Sequence, residues 1–180
     1  TPLTSSDATG LSGELDLNIF VTGPPGVGKT TIVQRAVELL RRRGFKAGGL
    51  YSPEIRTGGE RLGFEIVDLA TGERGTLAHT HLSQGPIADR YRVNLEDLSR
   101  VAVRAIDNAT RSSDFIVIDE VGPMELKSEH FQTAVLSVLD GSKPVLGIIH
   151  QRAEHQVIDA IRRRRDTQIL EVSVQNRESL

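Results

Sequence analysis

One stretch constrains this chain more than any other: Ile19-Phe20-Val21-Thr22-Gly23-Pro24-Pro25-Gly26-Val27-Gly28-Lys29-Thr30-Thr31. Gly23, Gly28, Lys29 and Thr30 occupy every fixed position of the phosphate-binding pattern G-x-x-x-x-G-K-[ST]. A β-branched apolar run precedes it at 19–21, and a helical pattern follows over 32–43. The chemistry requires this order. Glycines let backbone N–H groups turn inward as a concave anion nest where side chains would clash. A helix starting near Gly28 aims its positive dipole end at the same anion. Lys29 can then reach the β- and γ-phosphates, and the Thr30 hydroxyl can sit on Mg²⁺.

Composition narrows the remaining classes. The chain has 180 residues, which suits one domain with a substantial core. It has no cysteine, which excludes disulfides, thiolate zinc sites and Cys nucleophiles and fits a reducing interior. A net charge of −2 and 4 % aromatic residues argue against a nucleic-acid partner. No apolar run is long enough to span a bilayer, and the first 13 residues lack the apolar core of a signal peptide. Residues 1–14 are expected to be a disordered leader, and 15–180 a single cytoplasmic, monomeric domain.

Along the chain, a strand over 17–22 leads into a helix reaching Arg43, with Ile32, Ala36, Leu39 and Leu40 as its buried stripe. A strand follows at 47–52. Short strand candidates at Ile55, 62–69 and 75–78, separated by turn-forming 57–60 and 70–73, read as an inserted antiparallel meander. Residues 79–93 are expected to be irregular. His79 and His81 resemble a metal pair there, with no third ligand in view. Asn94 caps a helix whose apolar stripe runs Leu95, Leu98, Val101, Ala102, Ala105, Ile106 and Ala109. Further strands are expected at 115–120, 144–149 and 168–174, with a helix carrying Phe131, Ala134, Val135, Val138 and Leu139, and another over 152–165. Alternating strands and helices make a three-layer α/β domain with a largely parallel sheet.

The continuous apolar run at 115–118 ends in Asp119 and Glu120. Asp119, at the carboxyl end of a buried strand, is the expected Mg²⁺ partner of Thr30. Glu120 is placed to orient, or take a proton from, a water attacking the γ-phosphate. Arg56, Arg90, Arg92, Arg152 and Arg177 could each neutralise the transferring phosphoryl group; Arg56 and Arg177 are favoured. His150, ending a strand on the catalytic side, reads as a γ-phosphate sensor or a hydrogen-bonded structural histidine.

With these residues in place, the chain resembles the thermophile-type nucleoside-triphosphatase family. The matching segments are the loop itself, Gly48-Gly49-Leu50-Tyr51-Ser52-Pro53-Glu54-Ile55-Arg56, Gly63-Phe64-Glu65-Ile66-Val67-Asp68-Leu69-Ala70-Thr71-Gly72, Tyr91-Arg92-Val93-Asn94, Ile118-Asp119-Glu120-Val121-Gly122-Pro123-Met124-Glu125-Leu126 and Asn176-Arg177. The resemblance implies a RecA-like P-loop fold. It also implies slow, Mg²⁺-dependent hydrolysis of ATP, GTP, CTP and UTP to diphosphate and phosphate. It makes residues 23–30 and the segment Phe115, Ile116, Val117, Ile118, Asp119, Glu120, Val121 and Gly122 nucleotide-contacting, and sets Asn176 and Arg177 near the base. Two other readings compete. A kinase would use Glu120 on an acceptor hydroxyl, with the 54–92 region as an acceptor lid. For a nucleotide switch the chain lacks the guanine-reading Asn-Lys-x-Asp tetrapeptide, and for a nucleic-acid motor its net charge and few aromatics argue against a nucleic-acid footprint.

Overall fold

The run Phe115–Val121 is buried on both faces, as a central strand of a parallel sheet must be. Alternate residues enter different cores: Ile116 and Ile118 join one apolar cluster, and Phe115 and Val117 the other. The computed structural model describes residues 18–180, so the expected leader and Leu17 lie outside the described residues. Ten strands form one sheet. They are β1 (Asn18–Thr22), β2 (Ala47–Tyr51), β3 (Glu54–Thr57), β4 (Glu60–Asp68), β5 (Arg74–His79), β6 (Ile87–Ala88), β7 (Tyr91–Val93), β8 (Phe115–Val121), β9 (Val145–Ile149) and β10 (Thr167–Glu171).

The order is β10-β1-β9-β8-β2-β4-β5-β7-β6, with β3 pairing β4 off this path. The first five are mutually parallel. From β2 onward every pairing is antiparallel, which is the expected meander, fused to the sheet edge through Leu50–Asp68 and Tyr51–Val67 pairing. Strand β9 lies between β1 and β8, so the acid-bearing strand is not a direct neighbour of the phosphate-loop strand. Helix α1 (Lys29–Arg42) covers one face through Val33 and Val37. The other face is covered by α2 (Leu95–Asp97), a π-helical stretch Leu98–Val103 and α3 (Arg104–Ser112), which run on without a break, and by α4 (Glu129–Leu139) and α5 (Gln156–Arg163).

Several elements differ from the sequence reading. The buried stripe of α1 is centred on Val33, Val37 and the half-buried Leu40, leaving Leu39 57 % exposed. One residue is about 100° of helix, so a stripe phased by Val33 and Val37 turns Leu39 to solvent. Leu95 is exposed because it opens its helix directly after the Asn94 cap, whose side chain accepts from Asp97 N at 3.0 Å. The 79–93 segment holds the hairpin β6–β7, too short to show alternation, anchored by the buried Tyr91. Its hydroxyl accepts from Arg61 Nε at 2.9 Å and Arg90 Nε at 3.1 Å. Helix α5 starts at Gln156 rather than 152, because residues 152–153 are turned back on the ring of His150. Strand β10 stops at Glu171, because Asn176 closes the next residues into a turn.

Candidate functional site

The loop after β1 leads straight into α1, as its glycines allow. A Cβ on Gly23 would lie 2.6 Å from the carbonyl oxygen of Val172, just past β10, so only glycine lets the loop turn away there. Gly28 is the N-cap of α1 at φ 108° and offers no side-chain cap. The N–H groups of the first helical turn have no intrahelical acceptor, so they and the positive helix end are free to receive an anion at the loop. Pro24 and Pro25 shape the loop but carry no N–H. The donors therefore come from Gly26 onward.

Lys29 Nζ lies over the loop and donates to Gly23 O at 2.6 Å and Pro24 O at 3.2 Å. Thr30, one residue into α1, donates through Oγ1 to Asp119 Oδ2 at 2.9 Å. Strand periodicity explains the meeting. Asp119 follows Phe115 and Val117 on the face that packs against α1, so its carboxylate meets the helix's first turn even with β9 between the strands. The Asp119–Glu120 peptide is cis. Ser52, just past β2, donates from Oγ to Asp119 O at 3.0 Å and pins the strand end.

The electrostatics concentrate here. Asp119 is buried, and burial pushes its carboxyl up to about 6, against the opposing hydrogen bond from Thr30; the Glu120 carboxylate adds to the rise. Burial also raises Glu120, with Lys29 pulling the other way. Two hard oxygens, a hydroxyl and a buried carboxylate, 2.9 Å apart beside a phosphate loop, form the donor set that suits Mg²⁺. No cluster of three or more His, Cys, Asp or Glu that could hold a metal occurs among the described residues.

The other sequence candidates are distributed as follows. Phe115, Ile116, Val117 and Ile118 are at most 5 % exposed and belong to the two cores, so only the end of β8 reaches the site; Val121 is also core. Arg177 Nη1 donates to Val27 O at 3.4 Å, which lays its guanidinium on the phosphate loop. Asn176 is consumed by its own turn: Oδ1 accepts from Ser173 N at 2.7 Å, and Nδ2 donates to Glu171 O at 2.8 Å. Arg56 stays in the β3–β4 hairpin, donating to Glu54 Oε2 at 2.6 Å and Gly59 O at 2.9 Å. His150 Nδ1 accepts from the backbone N–H of Arg152 and Ala153 at 3.2 and 3.0 Å. Burial, then Lys29 and Arg152, hold it below the usual histidine range, and the two N–H groups received at Nδ1 favour the tautomer that carries its proton on Nε2. His79 Nδ1 accepts from His81 N at 3.0 Å, so one nitrogen of that pair is already taken.

Ser52 and Glu125 stand in the matching segments, yet the sequence assigns neither a role at the site. Glu125 is 3 % exposed at the start of a 3₁₀ turn, Glu125–Lys127. The available signal was an acid in an otherwise apolar Met-Glu-Leu turn just beyond the acidic strand end.

The NTPase family model matches residues 18–180. Among curated relatives, the nucleoside-triphosphatase THEP1 of Methanosarcina barkeri is 48 % identical over 165 residues, covering 91 % of this chain and 92 % of that protein. The nucleoside-triphosphatase THEP1 of Thermofilum pendens is 45 % identical over 164 residues, covering 91 % and 90 %. The crystal structure of THEP1 from Aquifex aeolicus superposes with a TM-score of 0.80 at 31 % identity, covering 90 % of this chain and 93 % of that one. The solution structure of a human cancer-related nucleoside triphosphatase gives 0.75 at 37 % identity, covering 91 % and 93 %.

Proposed function

The chain belongs to the NTPase family, and on that premise we propose that it hydrolyses ATP, GTP, CTP and UTP to the diphosphate and phosphate, slowly, with Mg²⁺ and little discrimination between bases. The observation that carries this reading is the 2.9 Å bond from Thr30 Oγ1 to Asp119 Oδ2, one residue from Lys29 and one from Glu120. It supports the reading by setting the loop, an oxygen pair suited to a metal and the Glu120 carboxylate together at the carboxyl ends of the parallel strands.

The backbone N–H groups from Gly26 to Thr30 cradle the phosphates. Lys29 leaves the loop carbonyls to bridge the β- and γ-phosphates. Thr30 and Asp119 hold Mg²⁺, which supplies charge neutralisation on the phosphate oxygens. Glu120 orients a water in line with the γ-phosphorus and takes its proton. Arg177, already on the loop at Val27, is better placed than Arg56 to assist. Asn176 has its side chain engaged within its turn, which supports weak discrimination between bases. The relatives above are named nucleoside-triphosphatases, which favours water over a second substrate as the nucleophile. No helix among the described residues is long and apolar enough to cross a membrane; the cysteine-free composition supports a cytoplasmic setting.

The test is phosphate release from the four triphosphates, with Mg²⁺ or EDTA, on the parent and Glu120→Gln, with and without nucleoside monophosphates. Acceptor-independent release, lost with EDTA and reduced at least about a hundredfold in Glu120→Gln, is the expected result. Release at the parent rate in Glu120→Gln removes the base assignment, and release only with an acceptor makes the protein a kinase.

A further inference from the structure

A fully buried glutamate is uncommon unless paired with a cation. Glu125 is 3 % exposed, and none of the ion pairs among the described residues involves it. What faces it is another carboxylate. After burial, the charge of Glu120 is the strongest influence raising Glu125, and the backbone N–H groups of Glu125 and Gly122 oppose the rise. Gly122 shows how closely the two acids converge. A Cβ there would lie 2.7 Å from Glu120 Oε1 and 3.2 Å from Glu125 Oε2. A side chain at Gly122 would have to push the Glu120 carboxylate aside, so glycine leaves both carboxyl groups room against one Cα.

We propose that Glu125 is a positioning residue that, packed with Glu120 over Gly122, holds the Glu120 carboxylate toward the attacking water. The inference rests on the reading of Glu120 given above. Burial and the neighbouring acid both raise the Glu125 carboxyl, which favours its neutral form, the one that can donate an O–H. A held carboxylate needs no reorganisation when water arrives, whereas a misplacement of about 1 Å can cost about a hundredfold in rate. Its burial and its place in a short turn just after β8 make Glu125 a fixed point against which the strand-end acid is aligned.

The experiment compares Glu125→Gln, Glu125→Met, Gly122→Ala and Glu120→Gln in steady-state phosphate release, alongside binding of a fluorescent ATP analogue and thermal melting. Gln keeps a donor of the same shape, and Met fills the space without one. Glu125→Gln should stay within about threefold of the parent kcat. Glu125→Met should lose roughly ten- to a hundredfold in kcat, with KM and analogue affinity unchanged and no drop in melting temperature. Should Glu125→Met not fold, Gly122→Ala reads the same contact: its Cβ displaces the Glu120 carboxylate, so kcat should fall while binding holds. Parent-like kcat in Glu125→Met or in Gly122→Ala overturns the proposal, as does a loss in Glu125→Gln equal to that in Glu125→Met. If Glu120→Gln hydrolyses at the parent rate, the base assignment fails instead. If Glu120→Gln is dead and Glu125→Met is parent-like, only the positioning role fails.

Discussion

Replacing Thr30 with alanine removes the hydroxyl that donates to Asp119 Oδ2 at 2.9 Å. Asp119 is 7 % exposed, so water does not readily take the hydroxyl's place. A hydrogen bond to a charged group contributes about 1.5–3 kcal/mol. At about 1.4 kcal/mol per tenfold in an equilibrium constant, the loss corresponds to roughly ten- to a hundredfold. It falls on the metal-dependent step twice, because the hydroxyl is itself a proposed ligand and because its bond opposes the burial that pushes the Asp119 carboxyl up. Titrating Mg²⁺ into phosphate-release assays at saturating ATP reads it directly. The half-saturating Mg²⁺ concentration should rise by about ten- to a hundredfold in Thr30→Ala and stay near the parent value in Thr30→Ser, which keeps the hydroxyl. An unchanged Mg²⁺ dependence in Thr30→Ala would refute the two-oxygen site. Thr30→Ser impaired as deeply as Thr30→Ala would show that the threonine acts through its methyl packing.

Two further expectations concern the scaffold. In Gly147→Ala the new Cβ would meet Phe20 Cε1 at 2.6 Å and Ile118 O at 2.9 Å, wedging β9 against both of its neighbours. Overpacking of this kind costs about 1–3 kcal/mol, and calorimetry should show a melting temperature lowered by about 2–10 °C. Arg164 donates to both Asp166 oxygens at 2.9 Å, and to Asp140 Oδ1 and Leu139 O at 2.7 Å. Arg164→Ala should lose about 1–2 kcal/mol in urea unfolding at pH 7, discounted for the exposed aspartates. Arg164 holds the Asp166 carboxyl below its usual range. That part of the stability is present above the unfolded carboxylate value of about 3.9 and is lost as pH falls through the lower folded one. Parent and variant should therefore draw closer in strong acid; a gap constant down to pH 2 would assign the effect to the Leu139 contact.

What was legible in the sequence was local. Gly23, Gly28, Lys29 and Thr30 announce a phosphate loop because the spacing itself places a lysine and a hydroxyl in the first turn of a helix. The run ending in Asp119 announces a buried parallel strand because a strand covered on both faces has no need to alternate apolar and polar residues. The meander was visible in its turn residues, and the Asn94 cap in its side chain and the acids that follow. Segments with little periodicity were misjudged: the two- and three-residue strands β6 and β7 are too short to alternate, and the phase of the α1 stripe depends on which residues meet the sheet.

The tertiary structure decided everything that depends on distant segments meeting. Strand order put β9 between the loop and the acid, yet helix and strand phase still join Thr30 to Asp119 across 89 positions of sequence. Ser52 on Asp119, Val172 against Gly23, and the Glu120 and Glu125 carboxyl groups converging on Gly122 join residues whose types are ordinary on their own. Local spacing can encode which groups a loop offers, because a few dihedral angles fix it. Which carboxyl is buried, which arginine lies on the loop and which glycine is needed for space are set by packing of the whole sheet.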